Sequence, residues 1–147
     1  MRSQAAVALA IAALALAACD NRQSASYPAG SGGGAASNAD PALLRMAQQA
    51  LPATRGLERC RAAYGSYPPN ADATIGCLPG GMPIKRQGSF VAVGDWIISP
   101  DQTGVGYTMM RHIDAKAMLV RRCVRQSCRW IYDPGDGRPS VEVNLGA

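Results

Sequence analysis

The residues with most chemistry to offer are four cysteines, Cys60, Cys77, Cys123 and Cys128, and a fifth at Cys19. A thiolate can attack, ligate a metal or pair as a disulfide. Attack needs a base beside it, and the chain holds a single histidine, His112, in a strand-like run. His112 has no second histidine at ligand spacing, so it reads as a structural or surface residue. The carboxylates Asp95, Asp101, Asp114, Asp133, Asp136 and Glu142 are scattered. Most sit at turns, where Asp bonds nearby backbone N–H groups. Asp133 and Asp136 flank Pro134-Gly135 without the D-x-D-x-D-G spacing of a calcium loop. Gly32-Gly33-Gly34 has no strand before it and no Lys-Ser/Thr after it, so it is not a phosphate cradle. These residue types predict no catalytic centre, no cofactor, no metal and no small-molecule substrate. The chain is expected not to be an enzyme.

Cys19 has a different use. Met1 to Gln4 is a short basic opening, and Ala5 to Ala18 follows as fourteen residues drawn only from Ala, Val, Leu and Ile. That run is too short to cross ~30 Å of hydrocarbon as a helix, but it suits the apolar part of an export signal. Its ending, Leu16-Ala17-Ala18-Cys19, resembles the bacterial lipobox. The resemblance implies acylation of Cys19 and cleavage before it. Residues 1–18 would be the lipoprotein signal peptide, and the mature chain would be anchored to the envelope membrane facing the periplasm. Two or more acyl chains hold stably where one holds marginally. Asp20 resembles the inner-membrane retention signal of enterobacterial lipoproteins, which favours the inner over the outer membrane.

Residues 19–39 form the lipidated cysteine and a tether rich in Gly, Ser and Ala. About twenty such residues span roughly 25 Å, enough to clear lipid headgroups. Residues 40–147 fit one small domain. The net charge of +5 favours anionic partners without naming one. Aromatic and basic residues do not interleave beyond Arg129-Trp130, which argues against nucleic acid.

Four cysteines in an exported domain read as two disulfides. Three pairings are open, and spacing favours Cys60–Cys77 with Cys123–Cys128. The second pair encloses Val124-Arg125-Gln126-Ser127, which fits a hairpin tip. With Arg125-Gln126 as its loop, Cys123 faces Cys128 in a non-hydrogen-bonded pair, where a cross-strand disulfide fits. The same register sets Arg121 against Trp130, and Leu119 against Tyr132, on the disulfide face. It also sets Arg122 against Arg129 on the other face, a like-charge pairing that costs stability. Arg122, Arg125 and Arg129 are therefore candidates for contact with an anionic partner. A merely solubilising edge would look the same.

Asp40-Pro41 opens a helix, with Asp as N-cap and Pro at the first helical position. Pro52 is expected to kink or break it, and Gly56 to weaken its resumption. Leu57, Cys60 and Tyr64 continue on one helical face as far as Gly65, with Arg55, Arg59 and Arg61 toward solvent. Pro68 to Gly88 reads as a loop pinned by Cys60–Cys77. Phe90 to Ser99 reads as one strand, the run from Val105 to Arg111 as a second, a hairpin over Leu119 to Tyr132, and Val141 to Leu145 as a last strand. The whole is an α+β domain, a helix on an antiparallel sheet of about four to five strands.

Leu57-Glu58-Arg59-Cys60-Arg61-Ala62-Ala63-Tyr64-Gly65-Ser66-Tyr67-Pro68 resembles a segment of type IV pilins and type II secretion pseudopilins, in which a helix ends at G-x-Y-P. Trp130-Ile131-Tyr132-Asp133, leading through Gly137 to Val141, is similar to the family's C-terminal strands. The resemblance implies a pilin-like fold and work with pilus or secretion machinery. The prepilin cleavage site and its long apolar helix are absent, so an ordinary filament subunit is excluded. The expectation is a non-catalytic binding module for pilus, secretion or other envelope machinery. The alternative is an inhibitor or immunity lipoprotein that blocks an envelope-targeted enzyme, such as a peptidoglycan hydrolase or phage lysin.

Overall fold

The computed structural model describes residues 40–145. The signal, Cys19, Asp20 and the tether lie outside the described residues. Two helices, α1 (Pro41–Tyr64) and α2 (Ala71–Cys77), precede seven strands. These are β1 (Ile84–Gln87), β2 (Phe90–Val93), β3 (Trp96–Pro100), β4 (Gly106–His112), β5 (Met118–Val124), β6 (Ser127–Asp133) and β7 (Val141–Val143). They form one antiparallel sheet in the order β1-β2-β3-β4-β5-β6-β7, an uninterrupted meander. No helix among the described residues is long and apolar enough to cross a membrane.

This corrects the expected pilin-like sheet of four to five strands under one helix. The stretch read as one strand from Phe90 to Ser99 is two, because Gly94-Asp95 turns the chain between Val93 and Trp96. Gly94 has φ +59°, a conformation that suits glycine and starts a two-residue hairpin. Gly88-Ser89 does the same between Gln87 and Phe90, with φ +62° at Gly88, and so creates β1 from the supposed loop. The rest of that loop holds α2, capped by the Asn70 side chain accepting from the Ala73 N–H at 2.9 Å.

Helix α1 begins as its residues dictate. Asp40 accepts from the Ala42 N–H at 2.8 Å, and Gly65 ends the helix in the left-handed region with φ +78°. It runs continuously through Pro52 rather than breaking there. Pro52 is exposed, so the carbonyl that loses its helical partner is on the solvent side. Gly56 has a packing role: a Cβ there would lie 2.4 Å from the Cys77 carbonyl oxygen. That close approach sets α2 against α1, and the Cys60–Cys77 disulfide joins the two.

Leu43, Ala47, Ala50, Ala53 and Leu57 form the buried stripe of α1. The matching sheet face offers Val91, Ile98, Met109, Leu119, Trp130 and Val143, all buried in the same core. Three alanines between Leu43 and Leu57 on the helix meet mostly large residues on the sheet. Strand alternation puts every second residue of β2 to β7 on this covered face and the others on an open one.

Candidate functional site

Two clusters of polar side chains lie on the covered face. In the first, the Tyr67 hydroxyl donates to Glu58 at 2.7 Å, and Arg61 Nε donates to the same carboxylate at 3.1 Å. The Arg61 guanidinium also lies 5.7 Å from the Tyr67 ring centre. Burial first, then the bond to Glu58, pushes the Tyr67 phenol well above its ordinary value of 10.0. Glu58 also lies close to Cys123 and Cys128, an arrangement with metal-site dimensions. The two sulfurs are bonded to each other, which leaves no thiolate to ligate.

In the second cluster Arg121 is buried. Its guanidinium lies 5.2 Å from the Trp130 ring centre, and Nε donates to the Tyr107 hydroxyl at 3.3 Å. Arg111 likewise lies over Trp96, at 6.0 Å, while pairing with Asp95 at 2.9 Å and donating to Gln49 of α1. Trp96 and Trp130 contact each other with ring centres 5.8 Å apart. Arg111 thus ties α1 to the sheet, and Arg121 braces β4, β5 and β6 against one another.

The open face is organised differently. Partners across the sheet place Lys85, Ala92, Ile97, Met110, Val120, Ile131 and Glu142 in one row at right angles to the strands. Five apolar side chains, from Ala92 to Ile131, thus lie side by side between a cation and an anion. All five are only partly buried. A parallel row holds Ser99, Thr108, Arg122 and Arg129. Beside it a cavity of about 230 Å³ is lined by Ser99, Thr108, Arg122 and Val124.

The hairpin takes the register read from its sequence. Cys123 faces Cys128, Arg121 faces Trp130 and Arg122 faces Arg129. The disulfides join Cys60 to Cys77 and Cys123 to Cys128, with Cα atoms 5.8 Å and 4.1 Å apart. Arg122, Arg125 and Arg129 are exposed, and Arg129 makes a distant pair with Glu142 at 3.9 Å. Arg125 has φ +57°, the only positive value at a described residue other than glycine.

The remaining candidates are apart from this surface. His112 is exposed at the end of β4. Asp133 accepts from the Gly135 N–H at 2.9 Å, and Asp136 pairs with Arg138 at 2.7 Å, both local turn contacts. The Arg138 bonds hold the Asp136 carboxyl below its ordinary range, as the Thr103 hydroxyl and N–H do for Asp101. Residue reading missed the apolar row, because it emerges only when β2, β3 and β4 are set in register. The Gly-Ser and Gly-Asp pairs at residues 88–89 and 94–95 were the signal that would have supplied its first part, from Lys85 to Ile97. Comparison with protein-family models, curated proteins and solved structures returned no match.

Proposed function

We propose that this chain is a lipid-anchored, periplasm-facing binding module of the bacterial envelope, without catalytic action. It docks to pilus, secretion or other envelope machinery through the open sheet face and the arginine hairpin. One observation carries the reading: the continuous row Ala92, Ile97, Met110, Val120, Ile131 on a sheet face that no described element covers. An antiparallel sheet exposed on one side ordinarily shows polar residues there, and contiguous apolar surface marks interaction sites. The stretch from Asp20 to Asn38 offers Tyr27 as its one large apolar side chain, so the tether is poorly suited to cover the row. The flanking Arg122 and Arg129 favour an occupant with carboxylates beside an apolar strip.

A blocking role against an envelope-targeted enzyme is the second reading. It is favoured by the stapled hairpin tip, whose residues from Val124 to Ser127 are all exposed and suited to filling a cleft.

Crosslinking in intact cells, with the captured protein identified, tests both. A pilus, secretion or other envelope component, lost in Val120→Glu, supports the first reading. A hydrolase or lysin supports the second. Capture unchanged by Val120→Glu removes the open face from the account. Labelled fatty acid entering Cys19→Ala as fully as the parent chain would refute the lipid anchor.

A further inference from the structure

We infer that the cavity between the end of α1 and the β5–β6 tip is a carboxylate-binding site, which receives an acidic side chain of a protein partner. The inference rests on the binding-module reading and adds the chemistry that the partner must bring.

Three tight hairpins of this sheet have two-residue loops: Gly88-Ser89, Gly94-Asp95 and Arg125-Gln126. In each the first residue has positive φ, at +62°, +59° and +57°. Two of the three use glycine, which enters this region without steric cost. The third uses arginine, whose Cβ makes the same backbone unfavourable. Fold requirements alone favour glycine at Arg125, so the side chain is the feature to explain.

The surroundings of that side chain form a cavity of about 290 Å³, lined among others by Arg61, Ser66, Thr103, Val105, Arg125 and Gln126. Both walls are fixed. The tip is held by the Cys123–Cys128 disulfide and by the Arg125 N–H donating to the Val105 carbonyl at 2.7 Å. Arg61 is oriented by Glu58 at 3.1 Å and by the Tyr67 ring, and its guanidinium has further donors beyond the Nε that Glu58 uses. Arg125 makes no ion pair among the described residues. Two guanidinium groups from separate elements thus border one cavity, which Ser66 and Gln126 also line; the Thr103 hydroxyl there already donates to Asp101 at 2.6 Å. Planar guanidinium forks match carboxylate oxygens.

A protein carboxylate fits better than a lipid surface. Membrane-binding patches gather roughly four to eight Lys or Arg side chains. Here two arginines border the cavity, and Glu58 already offsets one of them. The lining is also partly apolar: Val105, one of the large hydrophobic side chains exposed among the described residues, and the Tyr67 ring both border it. An acidic residue flanked by apolar ones meets both features.

The test is a titration of the full chain, followed by the backbone amide resonances of Ser66, Gly104 and Arg125. The probes are acetyl-Leu-Glu-Leu-amide, its Gln counterpart, and phosphatidylglycerol vesicles. The Glu peptide should shift these amides saturably and the Gln peptide should not. Arg125→Gly should weaken that binding by about tenfold or more, the value of losing a charge-assisted bond. The same variant should melt no lower than the parent, because glycine suits the backbone; this separates lost binding from lost fold. Arg61→Gln should also weaken binding, and Arg125→Lys should restore part of it. Equal binding by Arg125→Gly, equal shifts from the Gln peptide, or shifts from vesicles alone would each overturn the site. If Arg125→Gly keeps cellular capture of a partner that Val120→Glu loses, the open-face reading stands and this cavity falls. If the peptide binds the cavity but no envelope partner is ever captured, the site stands and the binding-module reading falls.

Discussion

Arg121 and Arg122 are neighbours in sequence and lie on opposite faces of one strand, with opposite fates. Arg121 belongs to the covered row Val91, Ile98, Met109, Arg121, Trp130, Val143, where it is 8 % exposed. Its charge is tolerated there because the Trp130 ring and the Tyr107 hydroxyl replace part of the lost hydration. Arg122 lies in the open row with Thr108 and Arg129 and keeps its charge in water. The apolar residues divide in the same way: Ile98 is fully buried, whereas Ile97 next to it stays partly exposed. Residue type therefore says little about role in this sheet. Parity along the strand decides it: one face belongs to the core, and the other is left uncovered by the described residues.

The largest test of that division is the loss of core volume. Ile98→Ala should destabilise the domain by about 2–5 kcal/mol, through lost burial and the cavity left behind. Val120→Ala on the open face should cost about 1 kcal/mol or less. Chemical denaturation of both variants checks the pair, and equal losses would mean that the open face is covered in solution.

The two disulfides also differ in the work they do. Removing Cys60–Cys77, with a sequence separation of 17, should cost about 3 kcal/mol in the chain-entropy account. Removing Cys123–Cys128, with a separation of 5, should cost about 2 kcal/mol. The first bridge also fastens α2 to α1 beside Gly56, so its loss should expose the α2 amides to hydrogen exchange before those of the sheet.

Tyr67 gives the covered face an alkaline limit. Its folded-state value is raised above the ordinary 10.0, so its contribution is complete below that pH. As pH climbs past 10.0 the unfolded chain releases the proton while the folded chain retains it, and stability falls. Tyr107, also raised by burial, acts in the same direction. Tyr67→Phe should be less stable at neutral pH, having lost the bond to Glu58, and its stability should fall less steeply above pH 10. Melting curves across the alkaline range would show whether the slope changes.

Local signals were legible in the sequence where two constraints coincided. The hairpin register was readable because Cys123, Cys128 and a two-residue loop fix it together, and the start of α1 because Asp40 and Pro41 agree. Of the kink or break expected at Pro52 the break does not occur, and the strand count was misread. Propensity at Pro52 yields to tertiary burial of the stripe from Leu43 to Leu57 on either side of it. The strand count turned on Gly88 and Gly94, small turn signals inside residues that looked like loop and strand. Longer-range geometry was not legible: the hairpin register pairs Val120 with Ile131, but nothing local says that Ile97 and Met110 join their row, or that Arg61 and Arg125 border one cavity.

The smallest expected effect on stability carries most about function. Replacing Arg122, Arg125 and Arg129 together with glutamine should change stability by no more than ~0.5 kcal/mol, the usual range for exposed sites. Relief of the Arg122–Arg129 opposition is favourable, and the 3.9 Å Arg129–Glu142 pair, exposed on both sides, holds little. Arg121→Ala is the internal control. It removes a buried side chain from over Trp130 and should cost about 1–3 kcal/mol. Partner capture should reverse that order: greatly weakened in the triple variant, retained in folded Arg121→Ala, and weaker in the parent as salt rises, because exposed charges are screened within ~8 Å at physiological ionic strength. A triple variant that captures its partner as the parent does would leave these arginines as a solvated edge, and the open apolar row would have to account for docking by itself.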